Sequence, residues 1–235
     1  MAAATHTDLS TDLKDAQLHL LLTAERLFAQ QGVDAVSTRE IARAAGQRNH
    51  SAVAYHFGSR EQLVQTLLDY RMLPANSRRQ ALLDDVEAQG QNDNARALVH
   101  VMIAPFVELL AQDPSASYYP EFTARLYSSK DGLAVLQQNP RRSAATLKAG
   151  AYLADVLRDL PEALRRERLQ ALGAQISHTV AEWAQQSRER SDFDVRELPL
   201  RMHNLVDVLT AGLLAPMSDE TRALLNQKQA QEQTQ

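Results

Sequence analysis

Residues 37–62 contain two helix-start signals and two glycines, spaced so closely that only short helices fit between them. Ser37-Thr38-Arg39-Glu40 fits a capping box, in which the serine and the glutamate each satisfy the other's backbone amide. Gly46 can end that helix after about two turns, because glycine accepts the left-handed cap conformation. A polar turn leads to a second helix near 50–57, which Gly58 closes, and Ser59-Arg60-Glu61-Gln62 forms the next capping box. The spacing therefore predicts two short helices joined by a tight turn, followed by a long helix.

The apolar composition favours helices in the rest of the chain as well. The sequence has 36 Ala and 34 Leu, against 29 Val, Ile, Phe, Trp and Tyr together. Alanine and leucine favour helices, whereas β-branched and aromatic residues favour strands. With 8 Gly and 8 Pro, the chain has few residues for the turns of a sandwich or barrel. The absence of cysteine excludes disulfides, thiolate metal sites and cysteine nucleophiles.

We predict an all-α protein of at most two folded units, because its 235 residues are many for one domain and few for three. The predicted division is a flexible N-terminus (1–11), an N-terminal domain (12–70), a body (71–217) and a polar C-terminal tail (218–235).

No membrane segment or targeting signal is expected. The most apolar segment, Leu98 to Ala111, contains His100, Pro105 and Glu108 and falls short of the ~18–20 apolar residues of a membrane span. The first residues have no basic region followed by an apolar core, so they do not resemble a signal peptide. We therefore expect a cytoplasmic protein.

Charge is distributed unevenly along the chain. The whole chain has a net charge of −4. Residues 39–79 hold seven Arg against three acidic residues, a balance of +4, which leaves −8 for the remainder. A basic segment on an acidic body is typical of a DNA-binding domain attached to a body that does not bind DNA. A cluster of solvated helix-surface charges would look the same, and charge alone favours that second interpretation.

Two stretches carry a more specific pattern: AERLFAQQGVDAVSTREIARAAG (24–46) and SAVAYHFGSREQLVQTLL (51–68). Together, residues 16–68 resemble the N-terminal domain of the TetR/AcrR family of transcriptional regulators. The resemblance implies an N-terminal three-helix helix-turn-helix domain, a larger C-terminal helical bundle and a homodimer. One departure is that the stretch QRNHSAVAYHF, between the two glycines, is one residue longer than the family's commonest form. The start of the recognition helix, the helix that would enter the DNA groove, is therefore left open, and Arg48, Asn49, His50 and Ser51 are all candidates to meet a base.

The resemblance implies that a helix at about 50–57 lies in the major groove of DNA. Arg48 can hydrogen-bond guanine bidentately and Asn49 can do so to adenine, while Val53 can touch a thymine methyl. His50 and Ser51 are further candidates to meet a base. Tyr55 and His56 suit phosphate contacts, as do Thr38 and Arg60 at two helix starts. The candidate DNA-binding residues are Thr38, Arg48, Asn49, His50, Ser51, Val53, Tyr55, His56 and Arg60. Several have a purely structural alternative: capping for Thr38, core packing for Val53 and Tyr55, and a hydrogen bond within the domain for His56.

An effector pocket in the body is also implied by the resemblance. Pro105 would interrupt the hydrogen bonding of an apolar helix there. Six side chains could line a mostly apolar cavity for an unknown small molecule: Met102, Phe106, Tyr118, Tyr119, Phe122 and Tyr127. The alternative for each of them is ordinary aromatic core.

The last two helices of TetR-type regulators form a four-helix bundle with a second subunit, and the resemblance implies the same here. Two apolar stripes spaced by three and four provide candidates for this interface: Ile176, Val180, Trp183, Met202, Leu205 and Leu209. The alternative is that both stripes pack inside one chain. A two-fold dimer also suits DNA reading, because it presents two recognition helices about 34–36 Å apart to a palindrome.

Two other classes of function, an enzyme and a non-specific binding protein, are compatible with a helical chain. An enzyme could use His178 and Glu182, four residues apart on a helix, but no third ligand accompanies them and no HExxH, Walker A, GxGxxG or GxSxG motif occurs. We therefore predict no catalytic residues, no metal and no cofactor. A helical protein that binds DNA without sequence preference, or only other proteins, is the second alternative. The favoured hypothesis is a ligand-responsive repressor whose partners are operator DNA, a second copy of the chain and an effector, with no membrane.

Overall fold

In the computed structural model, the described residues are 13–112, 118–128, 132–137 and 139–232. Within these ranges the regular structure consists of α-helices and two 3₁₀ turns, at Pro140–Arg142 and Val195–Glu197, with no strand. This confirms the predicted all-α class. The helices are α1 Asp15–Gln31, α2 Thr38–Ala44, α3 Ala52–Phe57, α4 Arg60–Ala88, α5 Ala95–Gln112, α6 Tyr119–Ser128, α7 Gly132–Gln137, α8 Ala144–Val156, α9 Glu162–Glu189, α10 Leu198–Leu214 and α11 Asp219–Glu232.

The short helices near the N-terminus begin and end at the residues that the sequence indicates. The Ser37 hydroxyl accepts the Glu40 amide at 3.2 Å, and the Ser59 hydroxyl accepts the Gln62 amide at 3.1 Å. Gly58 follows α3 with φ +81°, a left-handed conformation that glycine adopts without strain. The Glu40 carboxylate does not complete the predicted box, since it accepts a hydrogen bond from the Gln31 side chain at 3.2 Å instead.

Two apolar clusters form the core. The first joins α1–α3 and the start of α4 to one face of α6, where the rings of Phe28 and Phe122 stack with centroids 6.0 Å apart. The second fills the body between α4, α5, α8, α9 and α10. The helix α4 runs without a break through the predicted boundary at residues 70 and 71, so it takes part in both clusters.

The helix α5 is long and apolar enough to cross a membrane by length and composition alone. It packs against α4, α8 and α10, and its buried side chains include Leu98, Val99 and Ile103. These contacts are those of the central core helix of a helical bundle.

The two ends differ in what the structure describes. The predicted flexible segment 1–11 lies outside the described residues. The segment predicted as a polar tail is helical over α11. Most of its described side chains are exposed, and Leu224 is one of the large apolar side chains exposed to solvent.

Candidate nucleic-acid interface

Four exposed residues, 48–51, form the turn that precedes α3. Within this turn the Asn49 Oδ1 atom accepts the Ser51 amide at 2.9 Å, a local bond that shapes the turn. A carboxamide oxygen has two lone pairs, so Asn49 can still accept a second hydrogen bond and donate two. Arg48, Asn49, His50 and Ser51 therefore stand together at the N-terminal end of a short helix, as the sequence predicts.

The helix α3 is anchored by its opposite face. Ala52, Val53 and Phe57 are buried in the first cluster, with Val53 only 1% exposed. Val53 therefore packs in the core, the alternative that the sequence left open, and its methyl groups are not free to meet thymine. Tyr55 is 82% exposed, and its ring lies edge-on to His56 at 4.9 Å. Of the candidates on α3, Tyr55 reaches furthest into solvent.

Arg60 points back into the N-terminal domain rather than outward. Its Nε donates to the Val36 carbonyl at 3.1 Å, and a second guanidinium nitrogen donates to the carbonyl of Val33. The guanidinium also lies 5.9 Å from the centre of the Phe28 ring. These contacts fasten the start of α4 to the loop before α2, a role that the sequence did not indicate. Thr38 is half-buried at the first position of α2.

Two exposed arginines on α2, Arg39 and Arg43, were counted in the basic segment but not singled out. They lie four residues apart, so they share one side of the helix. In helix-turn-helix proteins the first helix of the motif crosses the DNA backbone, where arginines contact phosphates. The charge count was the signal that could have identified them.

A buried ion pair joins α1 to α4. Glu25 is fully buried, and its two carboxylate oxygens accept hydrogen bonds from Arg71 at 2.9 and 2.6 Å. Burial raises the pKa of Glu25, while Arg71 and the more distant Arg188 lower it in part. On the body side, Arg188 pairs with Glu121 and lies over the ring of Tyr118, 4.1 Å from its centre.

A second polar group, the Arg142 cluster (Gln65, Asp69, Asn139 and Arg142), ties the body to α4. Arg142 is 2% exposed and donates from Nε to Asp69 at 2.7 Å. Its other nitrogens donate to the Gln65 side chain at 2.7 Å and to the Gln65 carbonyl at 2.8 Å. Asn139 adds a hydrogen bond to the same Asp69 oxygen at 2.9 Å. None of these residues was singled out from the sequence.

A cavity of about 60 Å³ lies between α4, α5, α6, α8 and α9. Three predicted effector residues line it: Met102, Phe106 and Tyr119. The other three do not meet there. Phe122 packs on Phe28, Tyr118 packs on Arg188, and the Tyr127 side chain lies outside the described residues. The lining residues that the sequence did not indicate include Met72, Arg79, Arg142, Thr146, Ile176 and Ser177.

The predicted dimer residues lie mainly inside the chain. Ile176, Val180, Trp183 and Leu209 are buried in the second cluster, and Met202 and Leu205 pack against it half-buried. The two stripes therefore form intramolecular core, which was the alternative. The apolar side chains of α10 that face solvent are Leu200, Val208 and Leu214, at 73%, 58% and 48% exposure.

Among the described residues, no group of three or more His, Asp or Glu lies close enough to hold a metal ion. His178 and Glu182 are both exposed on α9, and the Glu182 carboxylate accepts a hydrogen bond from Gln186 at 3.0 Å.

Comparison with known proteins adds a family match and structural similarities. Residues 20–67 match the family model described as bacterial regulatory proteins, tetR family. Two crystal structures of NalD, the secondary repressor of the MexAB-OprM multidrug efflux pump in Pseudomonas aeruginosa, have a similar fold. One is 22% identical, covers 86% of this chain and 98% of its own, and has a TM-score of 0.52. The other is 23% identical, covers 88% and 100%, and has the same TM-score of 0.52. Comparison with curated proteins gave no match.

Proposed function

Because the chain belongs to the TetR family of bacterial regulatory proteins, we propose that it is a repressor that binds a palindromic operator as a homodimer and is released by a small effector. The members of this family are transcription regulators, so the chain is a regulator and not an enzyme. Its site of action is the cytoplasm, where bacterial DNA lies.

The observation that carries this proposal is the exposed turn before α3. Arg48, Asn49, His50 and Ser51 face solvent together, while Val53 and Phe57 hold the helix behind them in the core. A rigidly held short helix with polar groups at its N-terminal end can enter the major groove and hydrogen-bond base edges. Arg39 and Arg43 on α2 are the proposed phosphate contacts, together with Tyr55 at the exposed end of the recognition helix.

For the dimer, we propose the outer face of α10 in place of the buried stripes. Leu200 lies on the side of α10 opposite the buried Leu209, and Val208 and Leu214 flank it at about 80° and about 40° around the helix. Large exposed apolar side chains gathered on one helix are typical of an interface. A two-fold interface buries the same patch on both subunits, so one such helix face can supply both halves.

For the effector, we propose the cavity between α4, α5, α6, α8 and α9. Its wall includes Arg142, which hydrogen-bonds Gln65 and Asp69 of α4. The helix α4 begins directly after the recognition helix α3. A ligand that binds better to a conformation with α4 displaced would change the separation of two recognition helices. Operator affinity would fall by at most the factor by which the ligand prefers the displaced conformation over the operator-binding one.

Selection of bound sequences from a random DNA pool tests the proposed function. A regulator of this type enriches an inverted repeat whose half-sites lie about one helical turn apart. Binding without enrichment would instead support the alternative, a helical protein that binds DNA without sequence preference. The purified full chain is used without added ligand, so that the operator-binding conformation is present.

A further inference from the structure

The proposed effector cavity has a more polar wall than an apolar ligand requires. Two buried arginines line it, Arg79 (5% exposed) and Arg142 (2% exposed). Thr146 and Ser177, two residues with hydroxyl groups, line the same cavity. Among the described residues that line the cavity, none is acidic. The wall therefore combines a mainly apolar lining with two arginines and hydroxyl-bearing residues, and Arg142 is paired with Asp69 behind it.

The position of Arg79 is fixed by contacts on both sides. One guanidinium nitrogen donates to the Met102 carbonyl at 3.3 Å, and the guanidinium lies 5.6 Å from the centre of the Phe106 ring. These contacts hold a cation at the junction of α4 and α5. A charge in a low-dielectric wall attracts an opposite charge far more strongly than it would in water.

The rest of the wall suits an apolar chain. Met72, Met102 and Ile176 line the cavity beside the arginines. Methionine side chains are flexible and repack around ligands of different shape. The cavity of about 60 Å³ is far smaller than the roughly 300–1,000 Å³ of typical ligand pockets, so a ligand with an apolar tail must widen it.

We propose, building on the effector role assigned above, that the cavity binds an amphiphilic acid. The carboxylate lies against the Arg79 guanidinium and the neighbouring hydroxyls, and the apolar tail extends along the methionines. Arginine binds a carboxylate bidentately, which gives both affinity and orientation.

The same ligand class explains how binding reaches the DNA-binding domain. Arg142 is a lining residue of the cavity and also bonds Asp69 and Gln65 of α4. A ligand carboxylate offers Arg142 a second anionic partner in competition with Asp69. Binding of an acid therefore weakens the connection between the body and α4, whereas a neutral ligand of the same shape leaves it intact.

Ligand binding to the full chain without DNA tests the proposal. Decanoate, decanol and decyltrimethylammonium have the same tail and differ in head-group charge. We expect decanoate to raise the melting temperature and to bind roughly tenfold to a hundredfold more tightly than decanol by calorimetry, since a hydrogen-bonded charge is the difference between them. The ammonium ligand should bind most weakly.

Variants locate the binding group. Arg79→Met should reduce decanoate affinity to that of decanol, and Arg79→Lys should retain part of the difference. Arg78→Met is the matched control, because Arg78 directly precedes Arg79 on α4 and pairs with Glu108 at the surface. It should leave the affinity for decanoate unchanged. If Arg79→Met does not fold, the comparison of decanoate with decanol on the unmodified chain and on Arg79→Lys still decides the question.

Three results would overturn the proposal: no decanoate binding, equal binding of decanoate and decanol, or equal effects of the Arg78 and Arg79 substitutions. Operator binding by the ligand-free chain separates this failure from failure of the proposed function. A chain that selects a palindrome but ignores decanoate is a regulator without an acid site. A chain that binds decanoate through Arg79 but selects no palindrome has the acid site without the regulatory function.

Discussion

The Arg60 guanidinium bonds the carbonyls of Val33 and Val36, which leaves it directed away from any DNA lying along α3. Arg60→Ala should therefore lower the stability of the N-terminal domain. Charge-assisted hydrogen bonds contribute about 1.5–3 kcal/mol each when buried, and Arg60 is partly exposed, so the expected loss lies at the low end. Thermal unfolding measures it.

The matched control for that change is Arg39→Ala, at an exposed position on α2. It should leave the melting temperature nearly unchanged. The slope of log affinity against log salt should become shallower by about 0.9, the value for one lost phosphate contact. If Arg60→Ala instead flattened the salt dependence without a loss of stability, Arg60 would contact phosphate and its bonds to the loop would be secondary.

Asn49 is the residue for which a change in base preference is expected. Asn49→Ala should relax discrimination at one operator position by about 1–3 kcal/mol, the value of a bidentate base contact. The substitution also removes the bond from Asn49 to the Ser51 amide, so a second variant is needed. Asn49→Asp keeps an acceptor for that amide but cannot donate to adenine N7. Competition between the operator and its single-base variants should show the same position relaxed in both proteins; retained discrimination in either would contradict a base contact by Asn49.

The sequence predicts contacts of short range better than contacts of long range. The caps at Ser37 and Ser59 depend on residues three positions away, so a local pattern identifies them. Arg60 bonds carbonyls 24 and 27 residues away, and Arg142 bonds an aspartate 73 residues away. No local pattern marks such partners, which is why the Arg142 cluster was missed.

At the level of helices, α5 and α10 meet through two stacked imidazoles. The rings of His100 and His203 lie 5.9 Å apart at an angle of 14°. Burial lowers the pKa of His100 from its usual value of 6.5, and the nearby His203, Arg96 and Arg78 lower it further, while Glu108 acts in the opposite direction. The unfolded chain therefore takes up a proton at His100 more readily than the folded chain does.

This difference predicts a loss of stability in acid. The contribution of His100 is fully present above about pH 6.5 and is lost as the pH falls below that value through the lower pKa of the folded state. His100→Gln should flatten the fall in melting temperature between about pH 7 and pH 5, where histidines titrate. His178→Gln, at an exposed position on α9, is the control and should keep the slope of the original protein. An unchanged slope in His100→Gln would show that other groups cause the acid sensitivity.

The helical stripes show what periodicity can and cannot predict about elements. Spacing by three and four correctly grouped Met202, Leu205 and Leu209 on one side of α10. It could not tell whether that side faces its own chain or a second one, because both surroundings are apolar. The exposed side carries Leu200 and Val208 among polar residues, too sparse a pattern to recognise without the fold.

At the scale of the whole molecule, the proposed function requires two copies, since one short recognition helix reads only half of a palindrome. Composition was enough to predict the helical class, because it reflects every element at once. The pairing of subunits depends on the few apolar side chains that the fold leaves uncovered. In α10 these are Leu200, Val208 and Leu214.

A double substitution on that face tests the assembly. Leu200→Asp with Val208→Asp would set four carboxylates into a two-fold interface, and unpaired buried charges cost several kcal/mol each. The chain should then run in solution as a 26.1 kDa monomer instead of a dimer. Light scattering after size exclusion measures the mass.

Leu200 and Val208 are both exposed within the subunit, so the double variant should keep its helical content and fold. Leu147→Asp is the matched control, because Leu147 is a 63% exposed leucine on α8, away from α10. It should remain dimeric and bind the operator normally. The double variant should lose the preference for a full palindrome over a half-site, because its recognition helices are no longer joined. A double variant that stays dimeric would place the interface on another surface of the body, even if its affinity for DNA were reduced.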